Sequence, residues 1–187
     1  MRLKKINAVL ALLTTLALII HIGYNIFAFL TFYYNPVLKT VTTTPMIVLC
    51  CAHGICGMCS VFLLGDGTRL DVYQKENRKT IMQRISAALI FPLLILHLKT
   101  FGLLQDLSAA GNWVPFYLIL IVQVLFFGVI ILHTAVSFSK ALITLGLLSD
   151  RSLQKKIDVV AWIFGFALFI AAAYAVTSGE IMMFVNK

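Results

Sequence analysis

The stretch PMIVLCCAHGICGMCSVFLLG, residues 45–65, decides how the rest of the chain is read. Within it Cys51, Cys56 and Cys59 fall at C-x4-C-x2-C, a spacing known from loops that hold a two-iron cluster, and His53 sits among them. A cluster needs a fourth thiolate well downstream, and the remaining cysteine is Cys50, adjacent to Cys51. The segment also reads as an unbroken apolar helix, in which residues five apart, such as Cys51 and Cys56, project about 140° apart. The cysteines are therefore expected to pack as small apolar residues, and His53 becomes the residue of interest.

Working outward, the whole chain resembles this stretch. Its 187 residues are 61% hydrophobic and 12% charged, and the mean hydropathy is +0.99. No soluble domain keeps such a composition on its surface. A helix needs about 20 apolar residues to cross ~30 Å of hydrocarbon, and five such runs are present, near 6–32, 45–64, 81–104, 114–148 and 158–184. The expected fold is an all-α bundle of five transmembrane helices in a single domain. The connecting segments, near 33–44, 65–80, 105–113 and 149–157, are too short for a separate soluble domain. The apolar run that follows MRLKK is longer than a signal-peptide core and lacks a small-x-small site, so it is read as a retained first helix.

Basic residues alternate along the loops. Arg2, Lys4 and Lys5 precede helix 1; Arg69, Lys75, Arg78 and Lys79 fall in the second loop; Arg151, Lys155 and Lys156 fall in the fourth; the other two loops carry Lys39 or Lys99 alone. The positive-inside rule then predicts a cytoplasmic N-terminus and an outside C-terminus in a cytoplasmic (inner) membrane. The formal net charge of +8 belongs to this basic rim, a surface for anionic lipid or a partner subunit, and nucleic acid is excluded as a partner.

The four histidines, His21, His53, His97 and His133, lie one in each of the first four helices, and the fifth helix has none. Ionisable residues are costly in hydrocarbon, and one per helix suggests ligation across a bundle. None has an acidic neighbour in its helix, as a zinc tetrahedron would favour. Two haem b groups, each gripped by two neutral imidazoles, fit better. His97 lies two residues before Lys99, and His21 lies 16 residues beyond Lys5, about 24 Å at the helical rise. His133 follows Trp113 by 20 residues. Depth therefore pairs His21 with His97 for an outer haem and His53 with His133 for an inner one, His53 being the position whose depth also allows another partner.

The flanks of these residues carry further candidates. His133, Ser137, Lys140 and Thr144 form a polar stripe on helix 4, along which Lys140 would reach a haem propionate or snorkel to the interface. Gln83 and Ser86 share the face of His97 on helix 3 and would line the same interior seam one haem lower, and Arg84 is placed for inner-haem propionates or a partner subunit. Gly54 and Gly57 flank His53 as small residues that admit a ring or a neighbouring helix. Pro92 is read as a kink without a function.

These residues resemble the five-helix, two-haem cytochrome b subunit of the succinate dehydrogenase and fumarate reductase (succinate:quinone oxidoreductase) family. The resemblance spans roughly residues 6–170. It rests on one histidine per helix, on His21-x-x-x-Asn25, on His53-Gly54-x-x-Gly57, on Asn77-Arg78 and Gln83-Arg84-Ile85-Ser86 before His97, and on the stretch from His133 to Leu145-Gly146. It implies a membrane anchor for two soluble partners on the cytoplasmic face, a flavoprotein subunit and an iron–sulfur subunit, with menaquinone as substrate and no dicarboxylate chemistry in this chain. Some members carry a glutamate two residues before the helix 4 histidine; here that position is Ile131. The quinone candidates are the outer-side acids Asp106 and Glu180, the latter expected near the outer end of helix 5, where an interfacial carboxylate is ordinarily solvated. Two other readings remain open: a haem b subunit of a nitrate reductase, hydrogenase or formate dehydrogenase, in which two histidines commonly share a helix, and a haem-free transporter or assembly protein.

Overall fold

A computed structural model describes residues 2–64 and 74–185 of the chain. They form five helices: α1 (Arg2–Thr31), α2 (Pro36–Leu64), α3 (Gln74–Ala109), α4 (Trp113–Leu145) and α5 (Arg151–Phe184). Each is long and apolar enough to cross a membrane, and large side chains such as Phe62, Val114, Ile163 and Tyr174 cover their outward faces. In water this surface would aggregate; in a bilayer it meets lipid of matching polarity. The protein is a multi-pass transmembrane helical bundle.

The helices start earlier or end differently than the apolar runs suggest, because capping chemistry rather than hydropathy sets their ends. The connection expected over 33–44 shrinks to a tight turn. Asn35 caps α2 by accepting from the amides of Val37 (3.0 Å) and Leu38 (3.1 Å), and Pro36 fills the first helical position, where its missing N–H costs nothing. Thr40 and Thr42 bond back to carbonyls of the preceding turn, keeping the threonine-rich segment helical up to Pro45. The Tyr24 hydroxyl donates to the Asn35 carbonyl (2.9 Å) and accepts from its amide (3.2 Å), tying the turn to α1. α5 begins at Arg151, not near 158, because Asp150 caps it through the Leu153 amide (2.7 Å). α4 stops at Leu145 because Gly146 takes a left-handed conformation (φ 78°) and hands its amide to Ile143, the ending that glycine permits most cheaply. α3, Gln74–Ala109, is longer than the run 81–104; the expected loop near 65–80 falls partly in residues 65–73, and Arg69 lies outside the described residues.

α1 packs along α2, and α3 along α4, as two antiparallel hairpins; α1 also packs on α4, and α5 lies against α4 and α1. Small residues set the closest approaches. A Cβ at Gly165 of α5 would meet Ile131 of α4 at 2.9 Å, and one at Gly179 would meet the Phe29 ring of α1 at 2.6 Å. The end of the bundle where α1, α3 and α5 finish is closed by an apolar cluster of Leu104, Phe116, Leu120 and Phe184, with Ser108 donating to the Phe184 carbonyl at 2.6 Å.

Candidate functional site

α2 runs as continuous helix through the cysteine-rich stretch. Cys51 is exposed, Cys50, Cys56 and Cys59 are half-buried, and all four are free thiols. Among the described residues no three His, Cys, Asp or Glu side chains converge on a common point. The histidines instead fall into two pairs, each drawing one member from each hairpin.

The imidazoles of His53 and His133 stand 6.2 Å apart between ring centroids, with planes 61° apart. An imidazole nitrogen bonds a metal at about 2 Å and its ring centre lies ~1.1 Å behind, so two rings on opposite sides of one ion have centroids roughly 6 Å apart. His133 is the better anchored. Its Nδ1 is 3.1 Å from the Gln83 carbonyl and 3.1 Å from Ser86 Oγ. A carbonyl only accepts, and the Ser86 hydroxyl is already committed to the carbonyls of Met82 (2.7 Å) and Gln83 (3.0 Å). The proton therefore sits on Nδ1, which leaves Nε2 as a lone pair free to ligate, the arrangement that orients histidine ligands generally. His53 lies by the Asn7 backbone of α1, and its Nδ1 is buried without a hydrogen-bond partner among the described residues.

His21 of α1 and His97 of α3 are the other two histidines, again one from each hairpin. His21 Nδ1 is 3.3 Å from Thr43 Oγ1 of α2, and Asn25 Nδ2 donates to the His21 carbonyl at 2.7 Å while lying 3.3 Å from Nε2. The His97 ring lies against Phe126 (5.0 Å) and Phe127 (5.9 Å) of α4, and its Nδ1 is also buried and unpartnered among the described residues.

The donor set is of the kind that would suit a bis-imidazole haem: imidazoles from both hairpins lie among apolar walls, and the Nδ1 atoms of His53 and His97 are buried without partners among the described residues. Space is less ready. The cavity beside His53 and His133, lined also by Thr14, Thr15 and Ser137, holds about 50 Å³, far less than a porphyrin. A porphyrin would enter only if the lining side chains withdrew. Close approach is already exploited at Gly54, where a Cβ would lie 2.8 Å from the Phe91 ring of α3.

The flanking candidates distribute unevenly. Ser86, 1% exposed, and Gln83 act on His133 rather than on His97, whose face they share on α3. Lys140 reaches across to α3, donating to Thr80 Oγ1 (2.8 Å) and Gln83 Oε1 (3.4 Å), and Arg84 is half-buried one position on. Ile131 packs toward Gly165. Asp106 stands exposed near the end of α3. Glu180 is not a solvated interfacial carboxylate: it is 2% exposed, and Gln123 Nε2 of α4 donates to both of its oxygens at 3.2 and 3.3 Å. The apolar cluster that contains Phe184 lies one turn further along α5. Gln123, Thr43, Phe126 and Asn7 did not stand out in the sequence; only Gln123 carried a signal, as the lone amide in LILIVQVLFF. Compared with models of known protein families, with curated proteins and with solved structures, the chain matches none.

Proposed function

We propose that the protein is a di-haem cytochrome b membrane anchor of a succinate:quinone oxidoreductase, connecting a docked iron–sulfur subunit with menaquinone. The observation that carries this is the His53–His133 pair, 6.2 Å apart and with His133 Nδ1 fixed on the Gln83 carbonyl. In this reading His53 and His133 hold the inner haem, His21 and His97 the outer one. Bound haem would supply reversible one-electron chemistry at its iron.

The chain's own residues do the rest. Gln83 and Ser86 keep the proton of His133 on Nδ1 and the ligating nitrogen pointed away from α3. Phe126 and Phe127 wall His97 against water. Lys140 and Arg84 place positive charge near the inner pair, suited to carboxylates arriving there. The basic loops support a cytoplasmic N-terminus in an inner membrane, with the flavoprotein and iron–sulfur partners on that same face.

The test is a dithionite-reduced minus oxidised spectrum of purified protein with a pyridine haemochrome count. Two haems b per chain are expected. One would mean that one histidine pair is structural; none, in protein shown not to have lost cofactor, would overturn the reading.

A further inference from the structure

The two members of the His53–His133 pair are held unequally. His133 has its Nδ1 on the Gln83 carbonyl of α3, whereas the Nδ1 of His53 is buried with no partner among the described residues. Burying a ring nitrogen without a partner is costly, and without one nothing selects which nitrogen of the imidazole carries the proton. A complementary group lies close by. The main chain of Asn7 in α1 is beside the His53 ring, and its side chain lies over α2 one turn further on: a Cβ at Gly57 would be 3.9 Å from Asn7 Oδ1 and 4.0 Å from Nδ2. His53 and Gly57 are four residues apart and share a face of α2. Asn7 Oδ1 is itself buried with no donor among the described residues, and the adjoining Ala8 is 5% exposed, so this part of α1 packs into the bundle.

Two other unpartnered oxygens lie in the same half of the bundle, Ser60 Oγ of α2 and Ser137 Oγ of α4, and Ser137 lines the cavity it shares with His53. They differ in kind from the asparagine. A serine or threonine hydroxyl inside a helix can turn onto the carbonyl four residues back, as Thr14, Thr15 and Ser86 do. A side-chain amide oxygen only accepts, and the amides around it are committed to helical bonds. Asn7 Oδ1 therefore needs a donor from outside α1. The Asn7 main chain does not reach bonding geometry with His53 Nδ1 and is fixed within its helix. The side chain can turn, and Gly57, with no side chain of its own, leaves it room.

We propose that Asn7 is the positioning residue of His53: its Oδ1 accepts the Nδ1 proton and so turns Nε2 toward His133. Each imidazole of the pair is then oriented by a helix other than its own, His133 by α3 and His53 by α1, and each presents an unprotonated Nε2 to the space between them. α1 serves both pairs, one through His21 and the other through Asn7. The bond is a property of the polypeptide; its purpose, a lone pair presented to haem iron, rests on the function proposed above.

The experiment uses the full chain in lipid nanodiscs with isotope-labelled histidine and asparagine, first free of haem. Solid-state NMR should show His53, assigned by the signal lost in His53→Gln, as the Nδ1–H tautomer alone, in dipolar contact with an asparagine side-chain carbonyl. Asn7→Leu should lose that contact and give a mixture of tautomers, Asn7→Asp, which keeps an acceptor, should restore the single tautomer, and Ser137→Ala should leave it unchanged. An Nε2–H tautomer or no asparagine contact in the parent would overturn the proposal whether or not Asn7→Leu folds. So would an unaltered tautomer in folded Asn7→Leu, or a mixture appearing in Ser137→Ala. The same samples are then titrated with haem. Asn7→Leu should weaken the retention of one haem about tenfold, and Asn7→Asp should lower the potential of that haem and not of the other, because a stronger acceptor makes the imidazole the better donor to oxidised iron. Two haems bound by a protein whose His53 is the Nε2–H tautomer when haem-free reject the role of Asn7 and leave the anchor function standing; the Nδ1–H tautomer with its Asn7 contact, in a protein that takes up no haem, does the reverse.

Discussion

His133 on α4 is held by the main chain of α3: its Nδ1 lies 3.1 Å from the carbonyl oxygen of Gln83. No side-chain substitution removes a carbonyl, so the ring keeps its tautomer even when the neighbouring hydroxyl is lost. If the His53–His133 pair holds haem as proposed, Ser86→Ala should therefore weaken its retention there by about tenfold, the low end of the range for such outer partners. Haem titration of the cofactor-free protein measures it, and a complete loss of binding would show that the hydroxyl, not the carbonyl, orients the ring.

His133→Ala and His97→Ala should have separable effects. On the proposed di-haem reading, the first should delete the spectral signature of one haem and leave the other, and the second should do the converse, because each pair uses its own two helices. Loss of one shared signal in both variants would contradict the pairing.

Gly179 of α5 lies close against Phe29 of α1. A methyl group there would sit 2.6 Å from Phe29 Cδ1 and 3.2 Å from its Cβ, and the latter atom has little freedom to retreat. Gly179→Ala should destabilise the bundle by about 1 to 3 kcal/mol, the usual cost of overpacking, and adding Phe29→Ala should relieve the overpacking part of that loss. Unfolding by denaturant in mixed micelles reads both; a neutral Gly179→Ala would mean that the helices slide apart freely.

For the Glu180–Gln123 bond the expectation concerns asymmetry. Gln123→Leu leaves a buried carboxyl without its donor and should cost about 1 to 3 kcal/mol. The double variant Gln123→Leu with Glu180→Leu should regain most of it, since nothing polar is then stranded. The same unfolding assay would reject the idea if the double variant were the less stable of the two.

The ion pair from Lys79 to Asp158, 2.9 Å long, ties α3 to α5, but the lysine is 40% exposed. A pair this accessible to water contributes little, so Asp158→Asn should change stability by less than about 1 kcal/mol. A larger effect would indicate that the exposed end of these helices is covered by something else in the assembled protein.

Much of the fold was legible from hydropathy, since five apolar runs can hardly become anything but five helices. Their ends were not, because a cap is a property of two or three residues: Asn35-Pro36 and Asp150 extended α2 and α5 well beyond their apolar runs. Spacing and depth suggested how the histidines would group, and Ser86 and Gln83 were visible as polar positions on one face of α3. Their offsets of 14 and 11 residues from His97 also set them one level lower, where His133 lies, but that they hold its Nδ1 was not legible, because that depends on how α3 and α4 are rotated against each other. Glu180 misled for a related reason. Its distance from the helix end suggested the interface, but it is buried and bonded to Gln123 of another helix.

The Tyr24 hydroxyl clasps both backbone groups of Asn35, so α1 and α2 form a short-turned hairpin able to enter the bilayer as a unit. His21 and His53 arrive with it, but their counterparts belong to the α3–α4 hairpin, reached only after the intervening loop. Neither grip exists until both hairpins have been inserted. A prosthetic group bound by either pair would then act as a rivet between two separately inserted halves, and its binding energy would add directly to their cohesion. Chains that failed to acquire it would come apart along the line between the hairpins, which would give quality control a means of distinguishing finished bundles from unfinished ones.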